Sequence, residues 1–145
     1  MSRGAAHAVS DPMENIDVPA SAFTDTAEFI DTARKGVAGK VVKQAVDVFG
    51  QRELFVRLVG VSSANLHRVY QRKTLGPTQS EALLDVLQVF SRASTALGGL
   101  DVAREWLNTP LPALGGERPL ELCDTFGGRR LVRDAIAKIE YGEFP

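Results

Sequence analysis

At 145 residues the chain is long enough for one compact domain or two very small ones, and its formal net charge of −1 names no partner by global excess. No apolar run approaches the roughly 20 residues a membrane helix needs. The start of the chain has only Arg3 before Pro12 and lacks the apolar core of a signal peptide. Cys123 is the sole cysteine, which excludes an intrachain disulfide. The expectation is a soluble cytoplasmic protein that spans no membrane.

In chain order, residues 1–39 are expected to form a flexible N-terminal arm with one short helix. Met1 to Ala22 show no period and contain Pro12 and Pro19; Asp25 then stands as a cap with Glu28 three residues on, a capping-box arrangement, and Gly36 and Gly39 end the pattern. Val41, Val42, Ala45, Val46 and Phe49 recur at helical spacing until Gly50, and Leu54, Phe55, Leu58 and Val59 repeat it until Gly60. Ser62 reads as the cap of a helix carrying Leu66, Val69 and Tyr70. Thr78 and Glu81 form a second capping box, just after Pro77. They open a long amphipathic helix through Leu83, Val86, Leu87, Phe90 and Leu97. Val102, Ala103, Trp106 and Leu107 mark the next, which Pro110 ends. Pro119 opens a short helix through Cys123, Gly127 and Gly128 break the chain, and Leu131, Val132, Ala135, Ile136 and Ile139 define a last helix that Gly142 caps. No segment alternates in the strand fashion, so the fold class is all-α.

Charge is uneven. Between Lys40 and Lys73 seven basic residues face only Asp47 and Glu53, a net +5. This segment also has the parts of a helix-turn-helix: Gly60 for the turn, and Phe55, Val59, Val61, Leu66 and Val69 to lock two helices at a steep angle. Val56 departs from the pattern, which favours a small residue where the helices meet. In such a motif the start of the second helix reaches base edges while nearby cations touch phosphates. That marks Ser62, Ser63, Asn65, His67, Arg68, Arg72 and Lys73 as DNA-binding candidates. On charge alone a solvated helical surface is the stronger reading, and on the helix-Gly-helix pattern a plain helical core competes about evenly with DNA binding.

The C-terminal half carries an ordered series: Ala103, Trp106-Leu107, Thr109-Pro110, Leu114-Gly115-Gly116, Pro119-Leu120, Gly127, Val132 and Ile139-Glu140-Tyr141-Gly142. It resembles the toxin-binding domain of the Xre/MbcA/ParS antitoxins, and the stretch from Arg72 to Leu84 is similar to that family's Xre-like helix-turn-helix part. The resemblance spans roughly Lys40 to Pro145. It implies an Xre-like helix-turn-helix domain over residues 40–97 and a toxin-binding domain over 98–145. It also implies a type II antitoxin that binds a RES-domain, NAD-consuming toxin, blocks its NAD site with the C-terminal helix and tail, dimerises, and represses its own operon at operator DNA. Leu131, Val132, Ile136, Ile139, Tyr141, Gly142, Glu143, Phe144 and Pro145 are the toxin-binding candidates. Phe144 and the terminal carboxylate are expected to enter the pocket. The stripe from Gln79 to Leu97, with Phe90, is expected to form or support the homodimer.

No catalytic constellation competes. Cys123 follows Leu120 and Leu122 as an apolar residue, His67 has only His7 as a fellow histidine, and Asp101 and Glu105 share a solvated face with Arg104 beside them. The expectation is no enzyme, no cofactor and no metal. The runner-up is a DNA-binding transcriptional regulator without a toxin partner.

Overall fold

A computed structural model describes residues 11–142, and every regular element among them is helical. Eight α-helices follow one another: α1 Thr26–Lys35, α2 Lys40–Phe49, α3 Arg52–Val59, α4 Leu66–Tyr70, α5 Pro77–Leu97, α6 Leu100–Leu107, α7 Pro119–Leu122 and α8 Phe126–Glu140. Short 3-10 turns lie at Pro12–Asn15, Ala20–Phe23, Ser63–Asn65 and Pro112–Leu114.

Helix α5 is the axle of the fold. Its Leu83, Leu84, Val86, Leu87, Val89 and Phe90 are all fully buried, and α1, α3, α6 and α8 pack on it. Phe90 meets Phe49 at 5.1 Å between ring centroids and Phe55 edge-on at 6.4 Å, within the range where aromatic pairs attract beyond their area. Of the two expected dimer roles of this stripe, forming the surface and supporting it, these buried residues leave only support. Its apolar face is spent on the chain's own core, since a stripe apolar nearly all round belongs to a central helix. Core residues from Ile16 to Ile136 form one continuous cluster, so no gap in packing falls at Leu97–Gly98.

Residues 11–25 are not the free arm their lack of period suggested. Ile16 and Ala22 are buried, and the Asp17 amide N–H donates to Gln44 Oε1 at 2.8 Å. Two 3-10 turns carry this segment, so its inward residues follow no α-helical period. Three further local expectations change. The Asp25 carboxylate caps α1 through the Ala27 N–H at 2.9 Å, while the N–H of Asp25 itself donates to the Ser21 carbonyl, leaving Glu28 nothing to close a capping box with. Helix α5 begins at Pro77, whose fixed φ suits a first helical residue, with Gly76 rather than Thr78 at the cap. Gly127 and Gly128 lie inside the first turn of α8 rather than breaking the chain: Thr125 Oγ1 accepts the Gly128 N–H at 3.0 Å. Gly128 is required there, because a Cβ would overlap the Leu122 carbonyl oxygen at the close approach of α7 and α8.

Candidate functional site

Two exposed faces gather the residues singled out from the sequence. The first is built on α3 and α4. Gly60 closes α3 in the left-handed region at φ +71°, and Val59, Leu66 and Val69 are buried where the two helices meet. Val56 is also buried there, so the bulkier residue is absorbed by the core. Ser62, Ser63, Asn65, His67, Arg68, Arg72 and Lys73 are all exposed on one continuous stretch. Arg52 braces its start: its guanidinium donates to the Ser63 carbonyl at 2.7 Å and to Ser63 Oγ.

The packing also prunes the sequence charge. Lys40 pairs with Asp17 at 2.9 Å, Lys43 with Asp47 at 2.9 Å, and Arg57 with Asp124 at 3.3 Å. Of the seven basic residues between Lys40 and Lys73, only Arg68, Arg72 and Lys73 remain without an ion pair or a structural bond among the described residues. All three sit at the end of α4 or just past it. Asp17 and Asp124 lie outside the segment, so a charge count along the sequence misses them.

The second face is α8. Val132 and Ile136 are fully buried and Ile139 is half-buried. The expectation that Val132 and Ile136 touch a partner is corrected: an amphipathic helix packs its periodic residues against its own domain first. The surface α8 presents is formed instead by Phe126 (70% exposed), Arg130, Leu131 (51%), Asp134 and Lys138, ending at Tyr141 (83%) and Gly142, whose φ of +80° turns the chain. Phe126 was missed because it stands alone before two glycines. Glu143, Phe144 and Pro145, like His7, lie outside the described residues.

A clasp fixes α8 to α5. Asp85 Oδ2 accepts from Arg129 Nε at 2.6 Å, and its Oδ1 accepts from Arg133 Nη2 at 2.5 Å. Arg133 also donates to Gln88 Oε1 at 2.8 Å, and Arg129 to the Cys123 carbonyl at 3.0 Å. The Arg129 side chain is only 8% exposed. Burial pushes the Asp85 carboxyl up, but the hydrogen bonds from Arg133 and Arg129 overcome it and hold the group below its ordinary value. Farther along, Arg92 donates to both oxygens of Glu140, at 2.6 and 3.1 Å, which keeps that carboxyl below the ordinary range. Cys123 is fully buried, and desolvation pushes its thiol up to about 12, so it carries no nucleophile.

The described residues thus present two exposed faces, a cationic one at the end of α4 and a partly apolar one on the clamped helix α8. Residues 92–142, from the last turns of α5 to the end of α8, match the family described as the antitoxin Xre/MbcA/ParS C-terminal toxin-binding domain. This C-terminal stretch is therefore of the Xre/MbcA/ParS toxin-binding type, as its sequence resemblance implied. It is 29% identical over 126 residues to the Prs ADP-ribosylating antitoxin of Sphingobium sp. (strain YBL2), covering 79% of each chain. It is 32% identical over 94 residues to Antitoxin Xre of Yersinia enterocolitica, covering 61% of this chain and 62% of that one.

Proposed function

We propose that this chain is the antitoxin of a type II pair and neutralises a RES-domain, NAD-consuming toxin by laying α8 and the following tail over the toxin's NAD site. The observation that carries the reading is the α8 surface itself. A helix held by Arg129 and Arg133 presents Phe126, Leu131 and Tyr141 to solvent inside the stretch that matches a toxin-binding domain. Large apolar groups left exposed on one helix gain free energy only by burial elsewhere. The name of the Sphingobium relative carries ADP-ribosylation, a reaction that draws on NAD, which agrees with a toxin of that chemistry. A pyrophosphate pocket is lined with basic groups, so the carboxylate of Glu143 suits it, with Phe144 and Pro145 next in sequence. Co-expression with the neighbouring gene product tests the pairing: a stable complex on size analysis supports it. Separate elution of both proteins at micromolar concentration points to a regulator without a toxin.

The same reading includes repression of the chain's own operon by a homodimer, with the start of α4 in the major groove. Replacing Arg68 and Arg72 together with alanine is expected to weaken operator binding by about 2–6 kcal/mol if each side chain reads a guanine, and by less if they contact phosphates. Titration of the upstream DNA fragment checks this, and unchanged affinity in the double variant removes α4 as the reader.

A further inference from the structure

Helix α8 ends against its own dipole. Its last residue is Glu140. A carboxylate there adds to the negative charge of the unsatisfied carbonyls, at the end of a helix where cations stabilise. The compensating cation comes from α5. Arg92 stands two residues past the fully buried Phe90, so the core fixes the backbone that carries it. Its Nη2 donates to Glu140 Oε1 at 2.6 Å and its Nε to Glu140 Oε2 at 3.1 Å. A two-pronged pair of this kind fixes direction as well as distance.

This is the only side-chain hydrogen bond or ion pair on the last turn of α8, residues 137–140, among the described residues. The Asp85 clasp acts earlier, at Arg129 and Arg133. Past the buried Ile136, Lys138 and Tyr141 are exposed and Ile139 is half-buried. The Tyr141 N–H donates to the Ala137 carbonyl at 3.1 Å and the Gly142 N–H to the Ile139 carbonyl at 3.0 Å, and Gly142 then turns the chain at φ +80°. Both bonds need the last turn to stay wound, and helix ends open first where little packs on them. The two charged side chains are 37% and 34% exposed, so the pair contributes little to overall stability and its effect is local.

We infer that Arg92 is a positioning residue for toxin inhibition: paired with Glu140, it keeps the last turn of α8 wound and sets the direction in which the chain leaves Gly142 for the toxin's NAD site. The inference rests on the reading that residues beyond α8 occlude that site. Loss of Arg92 separates two quantities that a loss of folding moves together: binding through the α8 face persists, while occlusion fails.

The test is NAD consumption by the toxin from the neighbouring gene, with each variant at saturating concentration as set by its own dissociation constant. Arg92→Ala is expected to keep the wild-type circular dichroism and to bind the toxin no more weakly than a chain ending at Glu140. It is expected to leave part of the NAD consumption running where the wild type leaves none, and its Tyr141 and Gly142 amides should exchange with solvent faster. The charge swap, Arg92→Glu with Glu140→Arg, is expected to restore complete inhibition, while Glu140→Arg alone does not. A direct contact of either side chain with the toxin would be worsened by the swap. Complete inhibition by Arg92→Ala, a swap that fails to restore inhibition, or binding by Arg92→Ala weaker than that of the chain ending at Glu140 overturns this inference. The occlusion reading survives each of those results as long as the chain ending at Glu140 leaves activity running. Complete inhibition by the chain ending at Glu140, or none by the wild type, overturns both.

Discussion

Asp85→Ala is expected to destabilise the protein by about 3–5 kcal/mol, because it strands a buried guanidinium that was paired. Arg129 has its Nε bond to Asp85 and one bond to the Cys123 carbonyl, and with Asp85 gone only the carbonyl remains. Arg133 loses both carboxylate oxygens but keeps Gln88 and the Asp85 carbonyl, and it is less deeply buried, so the larger loss lies with Arg129. Urea denaturation followed by far-ultraviolet circular dichroism measures the change. A loss within about 0.5 kcal/mol, the range of ordinary surface substitutions, would show that the clasp holds nothing. The pH dependence follows from the same contacts. Asp85 has a folded-state value below its unfolded one, near 3.9. Its contribution is therefore complete above that unfolded value and is lost as pH falls through the lower, folded one. Asp85→Asn is expected to flatten the acid limb of the stability curve and to leave the neutral-to-alkaline limb parallel to the wild type.

Leu131→Asp is expected to leave stability nearly unchanged, since the side chain is half exposed, and to weaken toxin binding by a hundredfold or more. Interface anchors are typically worth about 2 kcal/mol or more each, and a carboxylate in an apolar contact adds its own desolvation. The paired control is Val132→Asp, at the next residue and on the buried face, which should unfold the chain before any partner is met. The two neighbours thus separate binding from folding in one experiment: denaturation midpoints for both variants, and a toxin dissociation constant for Leu131→Asp.

That contrast also shows what the sequence can and cannot disclose. Helical period located α2, α3, α5, α6 and α8 from their apolar stripes alone. It could not say whose core a stripe serves. Val132 and Ile136 read as part of a partner's contact surface, and Phe90 as forming or supporting a dimer, yet all three are buried in this chain. The residues that α8 does expose, Phe126 and Leu131 among them, fall off the stripe or before it. The polar contacts that clasp α8 to α5 are long-range. Asp85 lies 44 residues from Arg129 and 48 from Arg133, and no local pattern marks a carboxylate that will meet two guanidiniums across a helix pair. The exposed DNA-binding candidates were legible because a turn glycine flanked by apolar pairs is a local signal. Which of the neighbouring cations stay free was not, because Asp17 and Asp124 come from other segments. Residues 11–25 were missed for the related reason that a 3-10 turn buries single residues such as Ile16 without a repeat.

The clasp gives the proposed mechanism its physical basis. A helix that is to block a pocket must arrive already ordered, since ordering it on binding would offset the gain from burying its apolar groups. Two arginines hold α8 at its first two turns, Arg92 holds Glu140 in its last turn, and Gly142 then redirects the chain. Burying one aromatic such as Phe144 contributes about 1.5–3 kcal/mol, a factor of roughly ten to a hundred and fifty in affinity.

The most direct test of the central claim is NAD consumption by the partner toxin in the presence of the full chain and of a chain ending at Glu140, each at saturating concentration as set by its own dissociation constant. The account predicts that the full chain stops NAD consumption. It predicts that the truncated chain, which still binds through α8, leaves a substantial part of the activity running because the pocket is no longer filled. Complete inhibition by the truncated chain at saturation would contradict it and place neutralisation in the assembly rather than in occlusion of the NAD site.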